Sequence, residues 1–234
     1  MRSGLLIGLL FTSGVLLGQS LSSVAPDSAY KKLTKWYQGK VGEEDASLYT
    51  GSLYPMISKS RYTHQFFEAR SWGSGDLKLK GTWHFDVPMA FDLSNQQLII
   101  KHPDLGRRDG IALNMGNVDE FILHDHHFMR LDNDQVFDLL HEGKSVSLLA
   151  YRTKDEKPKD GGTVYDQDDS YYTWNNSNGE LKQLRGKGDL ESLTSKDIKI
   201  LSKELKKTKK AKLQLSNEEA TVNFMKYFDE AINQ

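Results

Sequence analysis

Three of the chain's seven histidines, His124, His126 and His127, surround Asp125 in the stretch FILHDHHFMRLD, residues 121–132. A catalytic zinc site takes three protein ligands and keeps a further position open, and His124, Asp125, His126 and His127 are the candidates for such a set. Their spacing opposes it. On a strand, His124 and His126 would share one face while Asp125 and His127 pointed the other way. In a turn, all four would face solvent with nothing rigid behind them, whereas metal ligands need supporting contacts. Apolar residues on both sides of the tetrad predict the turn, so it reads as a hairpin tip and no metal is assigned.

Other stretches match known chemistry only in part. Gly143-Lys144-Ser145 has the ending of a phosphate-binding loop. Asp138 stands where that motif needs its first glycine, and a strand pattern follows where it needs a helix. SWGSG, residues 71–75, approaches a serine nucleophile elbow without the first glycine or the strand-to-helix setting. Asp166, Asp168 and Asp169 offer oxygens to a divalent cation, yet the glycine and distal glutamate of a calcium loop are missing, and a solvated acidic loop is expected. Asn175-Asn176-Ser177 fits an N-glycosylation sequon. KELKKTKKAK, residues 203–212, reads as the exposed face and C-terminal end of a helix, where lysines complement the dipole. As a binding surface it offers Lys206, Lys207, Lys209 and Lys210 to an anionic partner such as acidic polysaccharide, lipid head groups or an envelope protein. Tyr171, Tyr172 and Trp174 could stack on a sugar, but alternation puts Tyr172 and Trp174 on one strand face, where core packing is expected. No catalytic residue and no cofactor is assigned.

The frame that must position these residues is mostly β. In GTWHFDVPMAFDLSNQQLIIKH, residues 81–102, Trp83, Phe85, Val87, Met89 and Phe91 alternate with more polar neighbours, as on a half-buried strand. Pro88 cannot donate to a ladder and predicts an edge position or a bulge. Similar runs separated by Gly/Asn turns recur through DLKLKG, IALNM, VDEFIL, VFDLLH, SVSLLAYR, SYYTW and ELKQL. About ten antiparallel strands imply a meander forming a sandwich or partly open barrel over residues 47–192. TKDEKPKDGG, residues 153–162, has no apolar residue and is expected as a surface boundary or flexible segment. Residues 21–46 hold a short amphipathic helix or an irregular arm, with Tyr30, Leu33, Trp36 and Tyr37 on one helical face. Residues 193–234 carry two capping signals, Thr194 with Asp197 and Ser216 with Glu219, each followed by apolar residues at helical spacing. They predict two helices packed on the β domain.

The whole chain sets outer bounds. Met1-Arg2 followed by the apolar run LLIGLLFTSGVLLG, residues 5–18, has the form of a removable signal peptide over 1–20, cleaved after Ser20 or Gly18. The run is short of the roughly 20 apolar residues of a membrane span, which leaves a retained anchor as the alternative. The absence of cysteine closes the lipoprotein and disulfide routes. With 31 basic and 32 acidic residues the chain has no overall field calling for nucleic acid. A soluble periplasmic or envelope location is expected, with no transmembrane segment in the mature chain.

Several blocks resemble a family of uncharacterised exported β-rich proteins of the Bacteroidota. They are SLYTGSLY (47–54), THQFF (63–67), GTWHFDVPMAFDLSNQQLII (81–100), VDEFIL, VFDLLHEGKSVSLLAYRTK (136–154) and SYYTW, followed by the two closing helices. The resemblance covers most of the mature chain and implies architecture and export, with no activity, cofactor or catalytic residue attached. The expected function is a non-catalytic binding or interaction module. A metal-assisted hydrolase at His124, Asp125, His126 and His127 is one alternative, and a structural envelope component docking through the basic helix is another.

Overall fold

The structure, a computed structural model, describes residues 26–41, 48–106, 109–131, 134–159, 162–196, 198–207 and 212–234, with backbone alone for 37–41. The expected leader 1–20, and Asp197, Lys209 and Lys210, lie outside the described residues.

Helix α1 (Ser28–Val41) precedes strands β1 (Gly51–Pro55), β2 (Gly73–Leu79), β3 (Thr82–Asp92), β4 (Gln97–Lys101) and β5 (Asp109–Leu113). Then follow β6 (Val118–Leu123), β7 (His126–Arg130), β8 (Val136–His141), β9 (Val146–Lys159), β10 (Gly162–Asn175) and β11 (Glu180–Gln183). Helices α2 (Ile198–Lys207) and α3 (Glu218–Ile232) close the chain. The eleven strands form one antiparallel sheet in the order β1-β5-β4-β3-β2-β6-β7-β8-β9-β10-β11. It consists of two meanders, β2 to β5 and β6 to β11, joined where β6 pairs with β2, with β1 added beside β5. The sheet curls without closing. Past Ala150, where the β8–β9 pairing stops, side chains of the β3–β4 turn reach β9: Ser94 Oγ donates to Lys154 O at 2.6 Å and Gln96 Nε2 to Arg152 O at 2.9 Å. The fold is therefore mainly β and antiparallel with two C-terminal helices, and of the two predicted shapes it takes the open, curled one.

Tight turns set the register. Lys80 and Gly81 have φ of 49° and 81°, and His124 and Asp125 have φ of 52° and 62°. Two successive positive φ angles make the hairpin turn whose twist matches its flanking strands. Pro88 marks a bulge and not an edge: β3 is an inner strand, its register with β2 slips between Gly75 and Leu77, and Asp86 takes φ 55°. Pairing with β4 begins only at Met89, so the missing N–H of Pro88 breaks no bond on that side. The stretch expected as a surface boundary or flexible segment is exposed over residues 155–159 and 162, as expected. However, residues 153–159 and 162 belong to a long β9–β10 arm, paired residue by residue out to Lys159 and Gly162. Side-chain polarity misleads here because a ladder needs only backbone groups. The arm's exposed side chains pair by charge, with Lys157 Nζ 3.2 Å from Asp166 Oδ2.

Cross-strand partners share a face, and the register Phe121–Phe128–Asp138–Ala150–Tyr171 crosses five strands on one of them, the inner face. One inner cluster joins Phe91, Phe121 and Phe128 to Leu77, Met89 and Phe67, with Phe121 and Phe128 stacked at 4.8 Å. A second joins Leu148, Ala150 and Tyr171 to Leu201 and Leu205 of α2 and to Phe224 and Phe228 of α3, the apolar stripes that helical spacing predicts. The N-cap of α3 is Asn217, one residue after the expected Ser216, with its side chain accepting from Ala220 N–H at 2.9 Å.

Asp229 fastens α3 to the sheet. Its Oδ2 accepts from Lys144 N–H at 2.7 Å, and its Oδ1 from Ser145 and Val146 N–H at 2.8 and 2.9 Å. The Gly143-Lys144-Ser145 turn thus does cradle an anion through backbone donors, and the anion is the chain's own carboxylate. Helix α1 packs by its polar stripe: Lys31 lies 2.7 Å from Asp76 and Lys35 pairs with Asp86, while Leu33 and Trp36 face solvent.

Candidate binding cleft

The histidine turn is the tip of the β6–β7 hairpin, but its histidines do not hang in solvent. His126 Nδ1 donates to Asp138 Oδ2 at 2.7 Å, and its ring stands edge-on to Phe67 at 5.0 Å between centroids. His127, next along the strand and so on the opposite face, has Nε2 2.7 Å from Glu120 Oε2, whose Oε1 accepts from Lys78 Nζ at 2.8 Å. His124 packs over Gly73, where a Cβ would meet its ring at 2.8 Å, and Asp125 is exposed. Among the described residues, no group of three such side chains is placed to hold a metal ion. The strand period puts His127 on the face opposite His126, whereas His124 and His126 both lie beside Phe67, and carboxylates fix His126 and His127 in place.

Between the two inner apolar clusters runs a buried polar seam. Arg152, 5 % exposed, donates through Nε to Asp138 Oδ2 at 2.7 Å and through Nη1 to Asp169 Oδ2 at 2.9 Å. Its Nη2 lies 2.7 Å from the same Asp138 oxygen and 2.8 Å from Glu218 Oε2, close as charges but without hydrogen-bond alignment. The guanidinium carbon sits 5.8 Å from the Phe67 centroid, a cation–π distance. Bonding to Asp138 raises the His126 pKa above its ordinary value, against the opposing effect of burial. Its Nε2 faces Glu68 Oε1 at 3.6 Å. Carboxylates at both nitrogens favour imidazolium, whereas a metal ligand must be neutral. The seam ties the first turn of α3 to β8, β9 and β10, a structural clasp.

Two residues beyond Arg152 on β9 the chemistry changes. A cleft of about 580 Å³ opens where the end of β1, residues 57–65, the β3–β4 turn and the β9–β10 arm meet. Gln65, 5 % exposed, donates through Nε2 to Ile57 O at 2.9 Å, while its buried Oε1 has no partner. Lys154, half-buried, donates to Phe66 O at 2.6 Å, and burial pushes its pKa down despite Asp169 and Asp92. The Tyr54 hydroxyl donates to Asp92 Oδ2 at 2.5 Å. Burial first, and then this carboxylate, raise the Tyr54 pKa well above its ordinary value and keep it protonated. Asp92 is fully buried and also accepts from Ser94 N–H at 2.8 Å, Asn95 N–H at 3.0 Å and Asn95 Nδ2 at 2.7 Å, which fixes the turn. Lys59 and Glu156 pair across the mouth at 2.9 Å. A larger hollow of about 770 Å³ adjoins it, but Arg70 Nη2 there already serves the carbonyls of Ser60 and Thr63. The smaller cleft is better furnished because it pairs a cation with an unmatched acceptor.

Lys206 and Lys207 are exposed on α2. Asp166 and Asp168 are exposed on β10, whereas Asp169 turns inward to Arg152, so the three aspartates form no common site. Ser74 lies within β2 and not at a strand-to-helix turn. Tyr172 and Trp174 pack with Phe137 and Leu149, as core. Sequence reading did not single out Gln65, Asn95, Arg152 or Lys154. One signal was available: in SVSLLAYRTK, strand alternation puts Leu148, Ala150, Arg152 and Lys154 on one face, so two cations continue an apolar stripe. Comparison with protein-family models, with curated proteins and with solved structures gives no match to this chain.

Proposed function

We propose that the chain is an exported, non-catalytic binding module that holds a small hydroxy acid, such as a uronic-acid unit of a polysaccharide, in the cleft beside Lys154. The observation that carries the reading is the meeting, in one cavity, of the half-buried Lys154 ammonium and the unpartnered Gln65 Oε1. An ammonium suits a carboxylate, and a buried amide oxygen calls for a hydroxyl donor beside it. The Tyr54 hydroxyl on the cleft wall is held protonated by burial beside the Asp92 carboxylate, so binding and not turnover fits the described residues. The positive start and apolar run at the N-terminus support export. A metal-assisted hydrolase at His124, Asp125, His126 and His127 finds less support, because His127 lies on the face opposite His126 and both are paired with carboxylates.

The test is calorimetric titration of the mature protein with glucuronate and with glucose, for wild type and Lys154→Met. Saturable glucuronate binding, weakened about tenfold or more by Lys154→Met and absent for glucose, is the expected result. Equal affinity for both sugars, no binding of glucuronate, or indifference to Lys154→Met would overturn the cleft reading. The mass of the mature N-terminus recovered from an exporting host tests the leader: cleavage after Ser20 or Gly18 supports export, and an intact Met1 opposes it.

A further inference from the structure

The apolar stripe of α2 covers the sheet, which turns its polar side toward the 3-10 helix Lys187–Leu193. Between the two helices lies a pocket of about 440 Å³, lined by Lys187 and Glu191 on one side and by Lys199, Ser202, Lys203 and Lys206 of α2 on the other. Positions 199, 202, 203 and 206 follow the i, i+3, i+4, i+7 rule, so α2 presents them as one stripe. Ser202 is 6 % exposed, and its Oγ has no hydrogen-bond partner. A serine inside a helix ordinarily returns its hydroxyl to the carbonyl one turn back, and this one does not. A buried hydroxyl left unmatched is unfavourable, so its place on the wall of a lysine-rich pocket calls for an acceptor there. Among the described residues no ion pair involves Lys187, Lys203 or Lys206, and Glu191 is the acid lining the pocket. The Lys187 pKa is lowered by burial first and then by the nearby charges of Lys206 and Lys212.

We propose that this pocket binds a tetrahedral oxyanion, a phosphate or sulfate monoester group, through Lys187, Lys203, Lys206 and Ser202 Oγ. Several lysines lining one pocket with a buried, unmatched hydroxyl suit an anion with near-double charge and at least three acceptor oxygens, whereas a carboxylate offers only two. The site is separate from the Lys154 cleft and does not rest on that reading.

The test titrates inorganic phosphate into the full mature chain at constant ionic strength, with Lys203→Gln, Ser202→Ala, Glu191→Gln and Lys207→Gln beside wild type. Lys207→Gln removes the same charge from the same helix outside the pocket, so it separates a built site from a diffuse field. Circular dichroism checks that every variant stays folded. Saturable one-to-one binding is expected, weakened about tenfold by Lys203→Gln, several-fold by Ser202→Ala, strengthened by Glu191→Gln and unchanged by Lys207→Gln. Absence of saturation, or equal losses for Lys203→Gln and Lys207→Gln, would overturn the proposal. Vesicles of phosphatidylglycerol and of phosphatidylcholine identify the source. Sedimentation with the anionic vesicles that is lost in Lys203→Gln assigns a lipid headgroup. Phosphate binding without vesicle binding assigns a soluble or glycan-borne phosphate.

Discussion

The β8–β9 turn and the α2 pocket are both concavities for an anion, built from opposite materials. The turn uses three backbone N–H groups whose positions the fold already determines, and Asp229 from α3 fills it. The pocket uses lysine side chains around a buried serine hydroxyl, and no ion pair among the described residues involves Lys187, Lys203 or Lys206. Backbone donors lose no side-chain freedom when they bond, so they suit a permanent partner. Each lysine must give up rotamer freedom to bind, which suits a partner that comes and goes. The same anion preference thus serves as a fastening in one place and, on the proposal above, as a receptor in the other.

The comparison can be broken at the turn first. Asp229→Ala should leave three N–H groups without their charged acceptor and destabilise the fold by about 3–5 kcal/mol in urea denaturation. Acetate should restore part of that loss, because the donors remain in place. A loss below ~1 kcal/mol would show that α3 is held by its apolar face alone.

Arg152→Met comes next, at about 3 kcal/mol, since it strands Asp138 and Glu218 without their cation. The double variant Arg152→Met/Asp138→Leu should be less destabilised than Arg152→Met alone, and a double loss equal to the sum of the two single losses would mean that the pair does not couple.

The His126 bond is smaller and depends on pH. Asp138 raises the folded pKa of His126 above its ordinary 6.5, so the bond stabilises fully below that pH and fades as pH rises through the folded value. Thermal melts should therefore show wild type ahead of His126→Gln by up to about 1 kcal/mol at pH 5–6 and converging with it under alkaline conditions. A chelator should leave that difference unchanged. Dependence on chelator would restore the metal reading.

Smallest is Lys203→Gln, expected within about 0.5 kcal/mol of wild type in phosphate-free buffer. A larger loss would make the pocket lysines structural, like the turn, and erase the contrast.

What could be read in advance followed from local rules. Alternation in residues 81–102 located β3, and Gly/Asn turns located the hairpins, because both signals lie within a few residues. The α3 cap was placed at Ser216 and is Asn217, a slip of one residue between two good capping types. The β9–β10 arm escapes apolar alternation because Tyr165 is the buried apolar residue among its described positions and the rest of its faces are mostly polar. The pairing of β6 with β2 was not readable, since nothing near Val118 encodes a partner four strands back. For the same reason, Gln65 and Lys154 meet only once the β3–β4 turn has crossed to β9. Gly143-Lys144-Ser145 lacks the first glycine and the helix of a phosphate loop, so neither its backbone donors' role nor their partner, Asp229, could be read from the motif.

The strand order also has a consequence in time. From β6 to β11 each strand pairs with the next, so these contacts close short loops. Gly51 instead waits for Leu113, with three other strands placed between β1 and its partner. Closing the longer loop costs more chain entropy before any ladder bond repays it, so the second meander should fold early and β1 last. Tyr54, on β1, forms part of the Lys154 cleft. The cleft should accordingly be the last part of the molecule to assemble and the first to exchange its amide hydrogens.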